Sequence, residues 1–344
     1  MTSKEIISKT IRFEKTPRLP YAILACTGWA FNRNGITLEQ VLSRDLEESA
    51  ELIKDSYRDL KSDMIWPDAG YNNLSIRSIG GKLKFRVRGS SDVEEVLIKN
   101  LSDIDKIDLD RLEDDPGINL LSDIGKYIYN SIGDNELIGS HSWGPFTLAG
   151  LVYGVENVMR GIYKDKSSIH SLLEFTTELC YRYLDYYVGK GAVSIVCLAE
   201  PNASGDMISK EQFRDFSMPY LKIIAERFKK KGIIVALHIC GNTYKILDLI
   251  PETGAQIMSL DYKVELDRAR EALGGKVAFA GNVNPVGVLQ DETPDGVARA
   301  GRKCIEKAGT APGFILMPGC EIPPTVPLEN ARALAKTAQE YYFN

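Results

Sequence analysis

Three residues stand out as a set able to hold a metal. His238 and Cys240 are separated only by Ile239, inside and just past the apolar run Ile233–Ile239. On a β-strand, side chains two positions apart point to the same side, so this imidazole and thiol converge. Cys320 follows Gly319 just beyond a second apolar run, Gly313–Met317. An imidazole and two thiolates suit Zn2+. Three protein ligands leave a fourth position open, as catalytic zinc requires, and the second CxxC-type pair of a structural finger is absent. With 3 His and 6 Cys in 344 residues, a chance His-x-Cys is expected roughly 0.05 times. The competing reading is three unrelated core residues. Against it stand Gly241 and Gly319, which place backbone space beside both cysteines at expected strand ends.

The elements that must position these residues form a repeating unit. A short apolar, β-branched run ends in a small or polar cluster, and a longer amphipathic stretch follows. The runs are Leu19–Cys26, Ser62–Trp66, Glu136–His141, Ala192–Leu198, Ile233–Ile239, Ala255–Leu260, Lys276–Ala280 and Gly313–Met317. Helical patterns such as Lys210–Lys230 and Thr293–Ala308 lie between them. Strand alternating with helix implies a parallel sheet with crossover helices. Repeated to this number, the unit implies a closed α/β barrel, the (β/α)8 TIM barrel, with residues 1–344 as a single domain that includes an N-terminal extension. One stretch breaks the alternation. Residues 73–98 carry Gly80–Gly81 between alternating apolar and polar residues, which reads as a β-hairpin inserted after the second strand. Its Arg77, Lys82, Lys84, Arg86 and Arg88 read as a solvated strand face.

Barrel catalysis sits at the C-terminal ends of the strands. There the sequence places His141, Glu200, Asn202, Asp261, Asn282 and Asn284 beside the His/Cys set. Asp261 is the expected fourth ligand of a resting metal, and Glu200 a weaker candidate. His141, Asn202, Asn282 and Asn284 are expected to orient substrate, with loop capping as the competing role for the asparagines. His170 falls in a helical stretch and reads as structural, as do Cys180, Cys197 and Cys304.

Composition narrows the classes. The chain is 44% hydrophobic and 26% charged, which is ordinary for a globular protein. Lys and Arg number 42 against 47 Asp and Glu, for a net charge of −5. This argues against nucleic acid or an anionic membrane as partner. No apolar run approaches the ~20 residues that span a bilayer, and no signal peptide is recognisable at the start. A cytoplasmic location and reduced cysteines are therefore expected; a homo-oligomer is left open.

His238-Ile-Cys240-Gly-Asn, Gly281-Asn-Val-Asn-Pro and Pro318-Gly-Cys320-Glu-Ile-Pro-Pro resemble blocks of the uroporphyrinogen decarboxylase superfamily. The closer resemblance is to its zinc-dependent, corrinoid-linked methyltransferases, in which a His-x-Cys…Cys set binds zinc. That branch includes methylcobamide:coenzyme M methyltransferases and the methyltransferases of O-demethylase systems. The opening residues 8–20, Gly144-Pro-Phe-Thr-Leu and Glu200-Pro-Asn-Ala-Ser extend the resemblance over most of the chain. It implies a TIM barrel, zinc, and a corrinoid (cobalamin). None of the three histidines lies in the Asp-x-His-x-x-Gly context by which corrinoid proteins hold cobalamin, so the corrinoid is expected on a separate protein. Decarboxylation of uroporphyrinogen is the weaker alternative, because the arginine-rich block of true decarboxylases is replaced by Ala25-Cys-Thr-Gly-Trp-Ala-Phe31.

Trp29, Phe31, Trp66, Tyr71, Trp143 and Phe146 fall in segments expected at the barrel mouth. Flat apolar walls suit an aromatic ring. The expected reaction is therefore demethylation of a methoxylated aromatic, with methyl transfer to coenzyme M or another thiol as the alternative. A zinc-holding or corrinoid-chaperone scaffold without catalysis is a remote third reading.

Overall fold

The computed structural model describes residues 1–341. The strands are β1 (Met64–Ile65), β2 (Leu83–Lys84), β3 (Asp92–Val93), β4 (Leu137–Trp143), β5 (Ile195–Ala199), β6 (Ile234–Ile239), β7 (Ile257–Leu260), β8 (Ala278–Val283) and β9 (Phe314–Pro318). Seven of them form one parallel sheet in the order β1-β4-β5-β6-β7-β8-β9. β4, β5, β7, β8 and β9 are buried almost throughout. Burial on both faces explains why their sequences are continuous apolar runs without alternation. Helices such as Lys166–Gly189, Met218–Lys230 and Pro294–Ala308 pack outside the sheet as crossovers.

The run Leu19–Cys26 takes the eighth position but makes a single parallel bridge, Tyr21 to Leu316. Ala22 N–H donates to the Leu316 carbonyl at 3.1 Å, and Leu316 N–H to Pro20 at 3.0 Å. On the other side Asp63 N–H donates to the Tyr21 carbonyl at 2.8 Å. The segment thus lies between β9 and β1 and closes the barrel. Pro20 has no N–H for a ladder, and a helix begins at Thr27, so a longer strand cannot form. The Asp63 carboxylate supplies what the ladder lacks. It accepts from Arg18 Nη1 at 2.7 Å, Arg18 Nη2 at 2.5 Å and Tyr21 N at 2.9 Å.

The hairpin is present with a different turn. Leu74–Ser78 is a short helix, Gly80–Gly81 ends it, and β2 pairs antiparallel with β3 across residues 85–91. Period-2 alternation over so few residues does not exclude a helical turn. Arg77 consequently leaves the solvated face. It pairs with Asp115 through Nε at 2.8 Å and Nη2 at 2.6 Å, while Asp115 caps the helix Pro116–Ile132. Lys82 and Arg86 do lie on the solvated face, paired with Glu95 and Asp92. The helical pattern Lys210–Lys230 is divided at Ser217, ahead of Pro219. Among the described residues no helix is long and apolar enough to cross a membrane.

Removal of the Asp63 carboxylate leaves the Arg18 guanidinium without its bidentate partner and the Tyr21 N–H without an acceptor. Asp63→Ala is expected to cost about 3 kcal/mol or more in urea unfolding, and Asp63→Asn less.

Candidate metal and substrate site

β6 ends at Ile239 and β9 at Pro318, and the closed barrel brings these ends together. His238 is buried, while Cys240 and Cys320 are half-buried. His238 Nε2 stands 3.1 Å from Cys240 Sγ, and the two sulfurs are 3.5 Å apart. One ligand atom from each residue lies within 4.8 Å of the others. Ligands of one tetrahedral zinc, with Zn–S about 2.3 Å and Zn–N about 2.0 Å, stand roughly 3.5–3.8 Å apart. The donor set and its spacing therefore fit a zinc ion.

Local geometry shows why the glycines are there. Gly241 has φ +84°, a conformation that disfavours a side chain. A Cβ on Gly319 would come within 2.5 Å of the Tyr262 backbone nitrogen. The neighbouring strand orients the imidazole. Ser259, in register with His238 across β6 and β7, places its Oγ 3.0 Å from His238 Nδ1. The hydrogen bond from Cys240 and, after it, His238 stabilise the Cys320 thiolate and hold Cys320 well below the ordinary thiol range, while that same bond and burial raise Cys240.

Neither acid expected as a ligand joins this group. Asp261 Oδ2 accepts from Gly241 N at 2.9 Å and Oδ1 from Lys263 N at 2.9 Å, so it braces the loop that carries Cys240. Glu200 is buried at the start of the helix Pro145–Tyr153. There it accepts from Phe146 N and Thr147 N, each at 2.8 Å, and from Thr147 Oγ1 at 2.7 Å. Backbone N–H groups at a helix start attract a carboxylate, and both oxygens are committed to them.

Asn282 and Asn284 behave as loop caps. Asn282 Nδ2 donates to the carbonyls of Asp261 at 3.0 Å and Val264 at 2.6 Å. Asn284 Oδ1 accepts from Val286 N and Gly287 N in a tight turn. Asn202 packs against Gly150, its backbone N–H bound to Thr147 Oγ1 at 3.3 Å.

His141 is different. It is buried, its Nδ1 hydrogen-bonds the Asn72 side-chain amide at 2.8 Å, and its Nε2 meets no partner. Burial, and secondarily His238, pushes its imidazole down to about 3, so it stays neutral. It lines a cavity of about 30 Å³ together with Asn72, Asn73, Ser90, Trp143 and Glu321.

Of the aromatic residues expected as walls, only Trp143 lines that cavity, with Nε1 donating to Asn73 Oδ1 at 2.7 Å. Trp29, Phe31, Trp66, Tyr71 and Phe146 are buried in the core. Trp29 donates to the Val326 carbonyl and Tyr71 to that of Leu38. Their loops fold inward over the barrel mouth, where large apolar rings gain more by packing than by facing water. His170 is structural, bonded to Tyr220 and stacked on Phe216.

Sequence reasoning missed Asn72, Ser259, Asp68 and Glu321 as part of the site. Asp68 and Glu321 end expected strands and were open to recognition by position. Ser259 is the one polar residue in its strand, which is a signal, while Asn72 has none. Asp68 Oδ2 accepts from Ser140 Oγ at 2.5 Å and His141 N at 3.1 Å, while Oδ1 meets no partner. It fixes the backbone of His141.

Residues 2–341 match the model of the uroporphyrinogen decarboxylase (URO-D) family, and the chain belongs to that family. Within it the chain is an enzyme of the corrinoid-linked methyltransferase branch. It is 24% identical over 358 residues to the methylcobamide:CoM methyltransferase MtbA of Methanosarcina acetivorans, covering 99% of each chain. It is 31% identical over 196 residues to the methylated-thiol–coenzyme M methyltransferase of Methanosarcina mazei, covering 57% of this chain and 51% of that one. A uroporphyrinogen decarboxylase of Carboxydothermus hydrogenoformans is 24% identical over 273 residues, 78% of this chain and 75% of that protein. Among solved structures, a methyltransferase from Methanosarcina mazei superposes with a TM-score of 0.86 at 22% identity, covering 99% of both chains. That likeness establishes the fold.

Burial pushes the Asp68 carboxyl from its ordinary 3.8 up to about 7. Folding then takes up a proton between these values, so stability falls as pH rises from about 4 to about 7, by up to about 4 kcal/mol. Asp68→Asn, neutral throughout, is expected to flatten that part of a urea-midpoint profile against pH.

Proposed function

We propose that this methyltransferase moves a methyl group from a corrinoid carried by a separate protein to a small thiol. The observation that carries this reading is the convergence of His238, Cys240 and Cys320 at the barrel mouth, with no fourth protein ligand among them. Zinc held by these three residues would bind the thiol sulfur and keep it deprotonated at neutral pH. The thiol proton would leave to solvent on binding; in the transfer the thiolate sulfur bonds the methyl carbon, and the electron pair of the broken methyl–donor bond stays with the donor.

The chain's own residues prepare that event. Ser259 holds the His238 ring, and Asp261 and Asn282 hold the strand-end loops. His141, fixed by Asn72 and Asp68, lines a small cavity. The separate corrinoid carrier is supported by the histidines themselves. One is in the metal set, one is bound to Asn72, and one is stacked in a helix pair. The names of the full-length relatives support a thiol acceptor.

The methoxylated-arene reading has less support than the thiol reading. Five of the six aromatics it relied on pack in the core. The cavity of about 30 Å³ beside His141 accommodates roughly two waters.

Two measurements test the reading. Cys240→Ala and Cys320→Ala should lose nearly all zinc by elemental analysis, and full occupancy in both would end the assignment. Ser259→Ala should retain the fold and bind zinc about 10–100-fold more weakly. With methylcobalamin as donor, the zinc-loaded protein should methylate small thiols. Release of a phenol from methoxybenzoates in the presence of cob(I)alamin, without thiol methylation, would reverse the choice of substrate.

A further inference from the structure

The sulfurs of Cys240 and Cys320 stand 3.5 Å apart, and among the described residues no other two cysteine sulfurs are in contact. Cys26, Cys180 and Cys197 are fully buried. Cys304 is half-buried, and its Sγ meets Asn282 Oδ1 at 3.8 Å. Cys240 and Cys320 are both half-buried, so part of each faces solvent.

Their place in the fold leaves this pair free to close. Cys240 follows the last residue of β6, and Cys320 lies two residues past the end of β9, so neither belongs to a strand ladder. The backbone beside each is held. Gly241 N–H donates to Asp261 Oδ2 at 2.9 Å, and Gly319 N–H to the Val283 carbonyl at 2.8 Å. From 3.5 Å, the sulfurs reach bonding distance by approaching about 1.5 Å. Turns of the two side chains about their Cα–Cβ bonds share that movement.

Resting on the zinc site proposed above, we propose that Cys240 and Cys320 form a reversible disulfide that competes with zinc for the same two sulfurs. The oxidant is the disulfide of a small thiol, which is the oxidised form of the acceptor class. One protein thiol attacks the small disulfide. The S–S bond of the reagent breaks, a mixed disulfide forms, and the first small thiol leaves with the proton. The second protein thiol attacks the protein sulfur of the mixed disulfide, and the second small thiol leaves with its proton. The cysteine pair is oxidised by loss of two hydrogens, and the small disulfide is reduced to two thiols. Of the three ligands only His238 then remains, so disulfide and zinc exclude one another. Excess small thiol runs both exchanges backwards and restores the site. The ratio of acceptor thiol to its disulfide thereby sets how much of the protein can hold zinc.

The test uses the full chain, reduced and stripped of zinc by a chelator, with 2-hydroxyethyl disulfide as oxidant. Mass spectrometry is expected to show the Cys240 peptide joined to the Cys320 peptide and the intact chain lighter by two hydrogens, with circular dichroism unchanged. Excess zinc is expected to slow the cross-linking at least about tenfold, because only the metal-free fraction offers both sulfurs. Cross-linked protein should take up no zinc, and excess 2-mercaptoethanol should restore uptake. Cys240→Ser and Cys320→Ser should each keep a mixed disulfide at the cysteine that remains. Joining to any other cysteine, or stable mixed disulfides on both Cys240 and Cys320, in protein that binds zinc when reduced, would overturn the inference and leave the zinc site standing. Cross-linking at one rate with and without zinc, in reduced protein that takes up no zinc, would end both.

Discussion

Everything at the mouth depends on closing a parallel sheet whose eighth position cannot form a proper strand. Tyr21 makes one bridge to Leu316, and Pro20 denies the segment a continuous ladder. One buried carboxylate, Asp63, gathers the Arg18 guanidinium and the Tyr21 N–H and ties the segment to β1. An open sheet would still carry His238 and Cys240 on one strand. The curvature of the closed barrel is what brings Cys320, eighty residues later, within 3.5 Å of Cys240.

The acids near the site act on backbone more than on metal. Glu200 satisfies the first N–H groups of the helix Pro145–Tyr153, and Asp261 ties the Gly241 loop to the turn at Lys263. Strand-to-helix loops leave several N–H groups without partners. A carboxylate there is worth more as an acceptor for them than as a free ligand, and the rigid loops it produces hold the thiols at ligand distance. Asn282 does the same with its amide.

The same economy governs the aromatic residues. Trp29, Trp66, Tyr71 and Phe146 fold back into the core and wall off the barrel mouth, which leaves a narrow polar cavity around His141.

The local pattern of the sequence determined most of the fold and the centre of the site. Apolar runs of strand length alternating with amphipathic stretches imply the parallel barrel, because strands covered on both faces have no polar side to show. His238-x-Cys240 was legible for an equally local reason, the two-residue period of a strand. Cys320 was legible only through the expected closure of the barrel. What the tertiary structure alone decided was where polar and aromatic groups at the strand ends point. Asp261, Glu200 and Asn282 have the right chemistry for a site and the right chemistry for a loop cap, and only the position of unpaired backbone N–H and C=O groups chooses between them. Whether Trp29 or Phe31 faces a ligand or the core likewise depends on how loops distant in sequence cover it. His141 gained its place through Asn72 and Asp68, partners 69 and 73 residues away that no local pattern could supply.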